Sequence, residues 1–370
     1  MDHEHCNVGS ENQCLKKTQT VSVTSVSPVK ITEPRQVCQI IFNDDETSNQ
    51  KIHAIRNIQG CYHMVLYYEN VEEEHHDWSL TGWIVESLAR TLLNHPLLAG
   101  RIQKRDDLSG FEIVSNDSGI RLLEAQSSAT LSEFLESDKK DRDDREVELV
   151  FWNEIDAQFP QFSPLFYVQV TKFICGGYSI GISCSLLLAE ILVVKKFLNK
   201  WANIYNMLPS ISNKEIDTTT FNYLDLNIPK FLSSEDLNNH TQNKNKVQSV
   251  VFKITTKDVN FSKEVWRELA MVCIEEVEQK LDMNIGSSFT LVVKEFLEVI
   301  EVESVTKSGI ENQIVCITSW NDFEEDEIVF HEDNKAVHVS CWIGSVADAL
   351  VMIFPCIEEN VCGVIVVAPS

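Results

Sequence analysis

Three small polar side chains in a row, Ser183, Cys184 and Ser185, close an apolar run that begins at Tyr178. A hydroxyl or thiol there could act as a nucleophile if a base stood beside it. No histidine accompanies them in the sequence, and alternating small residues on a buried strand are packing residues first. Just ahead of them, Gly176 and Gly177 could bend around a phosphate, yet no Lys-Ser or Lys-Thr pair follows, so the pair reads as a turn. His331 stands among Asp322, Glu324, Glu325, Asp326, Glu327, Glu332 and Asp333, a pattern that reads as a solvated acidic loop. His3, His5 and Cys6 carry ligating atoms on a polar tail with no second shell to orient them, and no metal is expected there.

The chain around these residues has 370 positions, a length that suits two domains. Its 44% hydrophobic and 24% charged content is that of a folding, globular chain. With 31 basic against 56 acidic side chains the net charge is -25, which repels nucleic acid in place of steering it inward. Eleven cysteines are scattered singly with no CxxC pair, so a reducing, cytoplasmic setting is expected. The opening MDHEHCNVGSENQ has no apolar core of the kind a secretion signal needs. The longest apolar stretch, Leu186 to Val194, is broken by Glu190 and is far shorter than the ~20 residues that cross a bilayer.

The elements that must position such residues follow from periodicity. Residues 1–20 read as a loose tail. Val21 to Val26 alternates as a strand before Pro28 and Pro34, and Tyr62 to Tyr68 reads as a second strand. Val85, Leu88, Ala89, Leu92 and Leu93 recur at helical spacing until Pro96. Phe111 to Val114 and Ile120 to Leu123 flank Asn-Asp-Ser-Gly, which predicts a hairpin. Thr130 and Glu133 form a capping box for a short helix, after which comes a polar, charged loop. Leu165 to Ile174 and Tyr178 to Ser185 make a second hairpin, which runs into a helix whose apolar face carries Val194, Phe197, Leu198, Trp201, Ala202 and Tyr205. Residues 206–247 are rich in Asn, Lys, Ser, Asp and Thr and read as a crossover. Beyond them, strands are expected around Val250 to Ile254, Phe289 to Val293, Ile314 to Thr318, Val337 to Ile343, Leu350 to Phe354 and Val361 to Val367. A helix is expected from Val265 to Leu281. Strands and helices without βαβ alternation imply a mixed α/β fold with mixed sheets. Trp201, Trp266, Trp320 and Trp342 read as core or wall aromatics.

Three segments in this order and spacing carry a resemblance: Thr24-Ser25-Val26-Ser27-Pro28-Val29, His95-Pro96-Leu97-Leu98-Ala99-Gly100-Arg101, and Gly176 through Ser185. Together the chain resembles the plant BAHD acyltransferases, HxxxD-type enzymes that use acyl-CoA. The resemblance implies two chloramphenicol-acetyltransferase-like lobes with a channel between them. They would be an N-terminal lobe over 21–205 and a shortened C-terminal lobe over 248–370, joined by the crossover at 206–247. In that family the glycine-flanked strand leads into HxxxDG, whose histidine is the general base. The matching positions here are Leu186, Glu190 and Ile191. Leucine has no lone pair, so a step that general-base catalysis speeds by ~10² to 10⁴ has lost its agent. The second signature, DFGWG, aligns with Val329, Phe330, His331, Glu332 and Asp333, of which the phenylalanine alone is kept. Glu190 and His331 are the alternative bases, the first also explained by a helix start and the second by its acidic loop. That acidic run would repel coenzyme A, and no counterpart of the family's YFGN region is seen between Leu281 and Ile314.

A narrower likeness rests on Asn116-Asp117-Ser118-Gly119-Ile120-Arg121, Phe162-Ser163-Pro164-Leu165 and Val351-Met352-Ile353-Phe354-Pro355, which look like the eceriferum branch of the family. That branch is associated with very-long-chain fatty-acid elongation for wax. The expectation is a non-catalytic helper whose partner is a fatty-acid elongation enzyme, cytoplasmic and peripheral at the endoplasmic reticulum, with no membrane span and no required cofactor. The alternative is an active O- or N-acyltransferase with acyl-CoA as co-substrate and a substitute base.

Overall fold

The computed structural model describes residues 18–42, 60–69, 80–105, 110–156, 158–189, 191–212, 246–255, 262–295, 298–307, 317–319, 328–330, 334–344, 346, 348–355 and 361–369. His3, His5, Cys6, Glu190, Trp320, His331, Glu332, Asp333, the acidic positions from 322 to 327 and most of the 206–247 crossover lie outside these residues.

In chain order the first half forms β1 (Thr18–Val26), β2 (Val37–Phe42), β3 (Cys61–Tyr68), α1 (Leu80–Thr91), β4 (Arg101–Lys104), β5 (Phe111–Val114), β6 (Ile120–Ser127), α2 (Leu131–Leu135), α3 (Lys139–Glu146), β7 (Phe166–Phe173), β8 (Tyr178–Ser185) and α4 (Ile191–Ser212). The second half forms β9 (Ser249–Thr255), α5 (Lys263–Leu281), β10 (Ser288–Glu295), β11 (Val299–Thr306), β12 (Ile317–Ser319), β13 (His338–Ile343), β14 (Leu350–Pro355) and β15 (Val361–Val367). The capping box at Thr130 forms as expected, with both reciprocal hydrogen bonds in place.

Among the described residues the strands make two mixed sheets. One has six strands in the order β1-β6-β7-β8-β3-β13, the other nine in the order β12-β9-β15-β14-β10-β11-β2-β5-β4. The pairs β6/β7, β10/β14 and β11/β2 are parallel. Sheet membership does not follow the order of the chain, because β2, β4 and β5 lie in the nine-stranded sheet and β13 joins the first sheet beside β3.

This topology corrects one expectation. β5 and β6 are not a hairpin: β5 pairs with β2 and β4, whereas β6 pairs with β1 and β7. The turn formers between them change sheets in place of closing a loop. Asp117 (φ 56°) and Gly119 (φ 79°) adopt left-handed backbone, and the buried Arg101 guanidinium donates to the carbonyls of Gly119 at 2.8 Å and Ser118 at 3.2 Å. A second correction concerns α3, whose sequence KKDRDDRE has no apolar period and read as loop. It is a helix that turns Glu146 inward to accept from Tyr67 Oη at 2.8 Å and Ser340 Oγ at 2.6 Å.

Alternation decides which side of the first sheet each residue faces. Ile180, Ile182 and Cys184 of β8 join Met64 and Leu66 of β3 in the main core. That core also holds Phe197 and Trp201 of α4 and Val292, Ile300 and Met352 of the nine-stranded sheet, so it lies between the sheets and beneath α1 and α4. α5 covers the far face of the nine-stranded sheet through Leu269, Cys273, Ile274 and Val277. On the outer face of the first sheet, Val65, Tyr67, Phe134 and Trp342 form a separate cluster.

Candidate functional site

The strand-to-helix turn after β8 is where the sequence resemblance places its chemistry. β8 is held on both sides, with Cys184 opposite Phe166 of β7 and opposite Tyr62 of β3. The ladder runs one residue further, for Leu186 N–H donates to Gly60 O at 3.0 Å. The chain then turns tightly: Leu188 and Ala189 N–H both reach Ser185 O at 2.8 Å, and Ser185 Oγ accepts from Leu187 N–H at 3.3 Å. Leu186 to Ala189 are all buried in the main core, Leu186 to 2% exposure. Leu186, which the sequence resemblance matches to a base position, is an alkyl side chain in an apolar setting. Ile191 begins α4.

A cation lies beneath this turn. Lys294, on β10 of the other sheet and only 3% exposed, donates from Nζ to Leu186 O at 2.8 Å. A charge-assisted hydrogen bond in so dry a place ties the turn to the second sheet. Lys294 also acts on the neighbouring Cys184, whose thiol is pushed up to about 12 by burial even though the ammonium opposes the shift. Cys184 is thus a protonated core thiol at neutral pH and no nucleophile. Tyr62, its partner across the ladder, has a buried hydroxyl beside the Cys341 thiol. Burial, reinforced by Cys341 and Cys184, holds that phenol well above its usual pKa.

The opposite face of β8 holds what sequence reasoning missed. His63 of β3 is paired with Ser183, and His63 Nδ1 lies 2.9 Å from Ser183 Oγ. Cys61 Sγ lies 3.8 Å from the same nitrogen, and the imidazole sits tilted against the Trp342 ring with centroids 5.2 Å apart. So a histidine does accompany Ser183, across strands that are far apart in the chain. Its signal was a single histidine within the apolar run Cys61 to Tyr68, and only the strand pairing reveals its partner. Both side chains are fully buried, and alternation points them away from Cys184 and the main core. The pair satisfies a buried polar contact and has no access to a substrate.

Phe330, which the sequence resemblance matches to the phenylalanine of its second motif, is buried against α4 and β3. Its ring makes edge contacts with Trp201 (4.6 Å), Tyr205 (5.6 Å) and Tyr68 (6.0 Å). The backbone around it is pinned by Tyr68 Oη to Ile328 O at 3.1 Å and Asn206 Nδ2 to Val329 O at 2.7 Å. Phe330 thus packs against α4, and Leu186 belongs to the same main core. Trp201 and Trp342 are core residues as expected.

Comparison with known proteins adds a lineage to this geometry. Residues 56–265, more than half of the chain, match the Transferase family. Protein ECERIFERUM 26 of Arabidopsis thaliana is 37% identical over 103 residues, which are 28% of this chain and 23% of that protein. Anthranilate N-benzoyltransferase protein 3 of Dianthus caryophyllus is 31% identical over 129 residues, 35% of this chain and 28% of the relative. These matches span about a quarter of the length of the curated relatives. Among solved structures, vinorine synthase aligns with a TM-score of 0.45 and 14% identity over 96% of this chain and 95% of that one.

Proposed function

We propose a non-catalytic role, and the premise is plain: the chain belongs to the Transferase family, the BAHD acyltransferases. On this reading it keeps the family's core and has given up its proton transfer. The observation that carries the reading is Leu186, an alkyl side chain sealed in the core at the position matching the family's histidine. An acceptor hydroxyl or amine would find no base there, and the loss of such a group forfeits ~10² to 10⁴ in rate. Cys184 and the Ser183–His63 pair do not replace it, the first because its thiol stays protonated and the second because it is sealed on the far face.

The likeness to the eceriferum proteins, which extends over part of each chain, supports a helper role in acyl-lipid metabolism with a fatty-acid elongation enzyme as partner. Among the described residues no helix is long and apolar enough to cross a membrane. Association at the endoplasmic reticulum would then come through that partner. Acyl-CoA would be a co-substrate only in an active protein. The test is turnover by the purified protein against a panel of acyl-CoA donors with alcohol and amine acceptors. The expected rate is the uncatalysed background. Robust turnover abolished by Glu190→Gln or by His331→Gln would overturn the reading and identify the base.

A further inference from the structure

Of the described residues between Ile155 and Leu165, the fold accounts for most. Ile155, Pro160, Ser163, Pro164 and Leu165 are buried, and Ser163 Oγ accepts from Asp156 N–H at 3.0 Å. Asp156 Oδ1 accepts from the N–H groups of Gln158 (2.8 Å) and Phe159 (3.3 Å). Two further backbone bonds, Phe162 to Phe159 and Ser163 to Pro160, both at 3.1 Å, close a single turn that packs on β4. What the fold does not explain is the pair of rings this frame holds outward. Phe159 is 52% and Phe162 74% exposed, with ring centroids 6.5 Å apart. In Phe162-Ser163-Pro164-Leu165 the last three residues serve packing and the first serves none. Paired aromatics on a hydrogen-bonded turn are preorganised, which is how contact residues gain affinity at little entropic cost.

We infer that Phe159 and Phe162 form an anchor for a partner protein that presents an apolar socket ringed by basic side chains. Aromatic side chains on rigid backbone are the usual energetic centre of such contacts. The basic character follows from charge. The exposed charged side chains of this loop, Glu154 and Asp156, are both acidic, against one exposed lysine, Lys104, on the strand the turn packs on, and the chain as a whole has a net charge of -25. A second copy would meet its own like charge, and an anionic lipid surface would be repelled in the same way. The inference rests on the partner-dependent reading above, and it supplies that reading with a surface.

The test uses the full chain and a synthetic amphipathic helical peptide of leucine and lysine as the probe. Binding is followed by fluorescence anisotropy at low and physiological salt. Binding should weaken at least about tenfold in the double variant Phe159→Ser/Phe162→Ser and should weaken with salt. The melting temperature should stay unchanged, since neither ring is buried. No binding by the native chain, or equal binding by native and variant chains, overturns the inference. So does ring-dependent sedimentation with phosphatidylcholine vesicles, which would assign the rings to lipid, or ring-dependent self-association in ultracentrifugation. Acyl-CoA turnover would overturn the non-catalytic reading while leaving the peptide result standing, so the two failures are distinguishable.

Discussion

Lys246, where the described chain resumes after the crossover, should be worth more to the protein than its exposed surroundings suggest. Its ammonium lies 2.5 Å from Glu146 Oε2 and 2.6 Å from Asp143 Oδ1, and 4.8 Å over the Trp342 ring. Glu146 is the buried member, its side chain 1% exposed, and its other oxygen accepts from the hydroxyls of Tyr67 and Ser340. Lys246→Met keeps an unbranched apolar cover on Trp342 but leaves the buried carboxylate with hydroxyl donors and no cation in contact. Breaking a buried pair from one side costs about 3–5 kcal/mol. Glu146→Gln removes the charge and keeps an oxygen for Tyr67 or Ser340, while Lys246 retains Asp143. Its cost should be smaller, about 1.5–3 kcal/mol, that of a charged hydrogen bond. The double variant should cost less than the sum of the two, because removing the carboxylate's charge removes the penalty of its isolation. Urea unfolding of all four proteins, followed by fluorescence and circular dichroism, measures the cycle. If Lys246→Met costs less than about 1 kcal/mol, or if the two single costs add, Glu146 does not depend on Lys246 and the reasoning fails.

Three further outcomes are expected. Leu186→His alone should leave acyl transfer at background, because the new imidazole would lie in a sealed apolar turn above Lys294; clear activity in this single variant would mean the rest of the site is intact. Gly181→Ala should abolish soluble expression or cost about 3 kcal/mol or more, since its Cβ would stand 1.9 Å from the Leu149 carbonyl oxygen, a backbone atom that cannot swing aside; a melting temperature within a degree or two of the native one (roughly the shift from under 1 kcal/mol) would refute the close packing of β8. His95 has its imidazole pKa lowered from 6.5, chiefly by burial and further by Lys196 and Lys200. As pH falls below 6.5 the unfolded chain takes the proton first, so stability is lost from there down to the lowered native value; the unfolding free energy of His95→Asn should fall less between pH 7.5 and 5.5 than that of the native chain, and equal slopes would count against it.

How far the sequence reaches is best judged from particular segments. β8 and α4 were legible because an unbroken apolar strand, a glycine turn and a helical stripe of aromatics each obey a local rule. β2, β4 and β11 were passed over: β4 has four residues, and β11 alternates Glu with Val between neighbours that it meets only in the sheet. The β5–β6 segment has sound hairpin chemistry and still divides between sheets, since turn residues fix a change of direction and not the partner of the next strand. α3 eludes periodicity because its buried face is a single carboxylate. At the candidate site, the turn after β8 was expected from the apolar run and its motif spacing, whereas Lys294 meets it only through the packing of one sheet on the other, and His63 meets Ser183 only through the pairing of β3 with β8.

The position of β13 has a consequence for how the molecule is made. Residues numbered in the sixties must wait for residues numbered around three hundred and forty before the edge of the first sheet is covered, and β2 waits in the same way for β11. A ribosome releases the chain from one end at ~5–20 residues per second, so β3 and β2 emerge with open hydrogen-bonding edges long before their neighbours are synthesised. Contacts of such long sequence separation also slow folding once the chain is free. The molecule should therefore lean on chaperones during its synthesis, and a truncation that removes β13 should yield an aggregating chain in place of a smaller folded one.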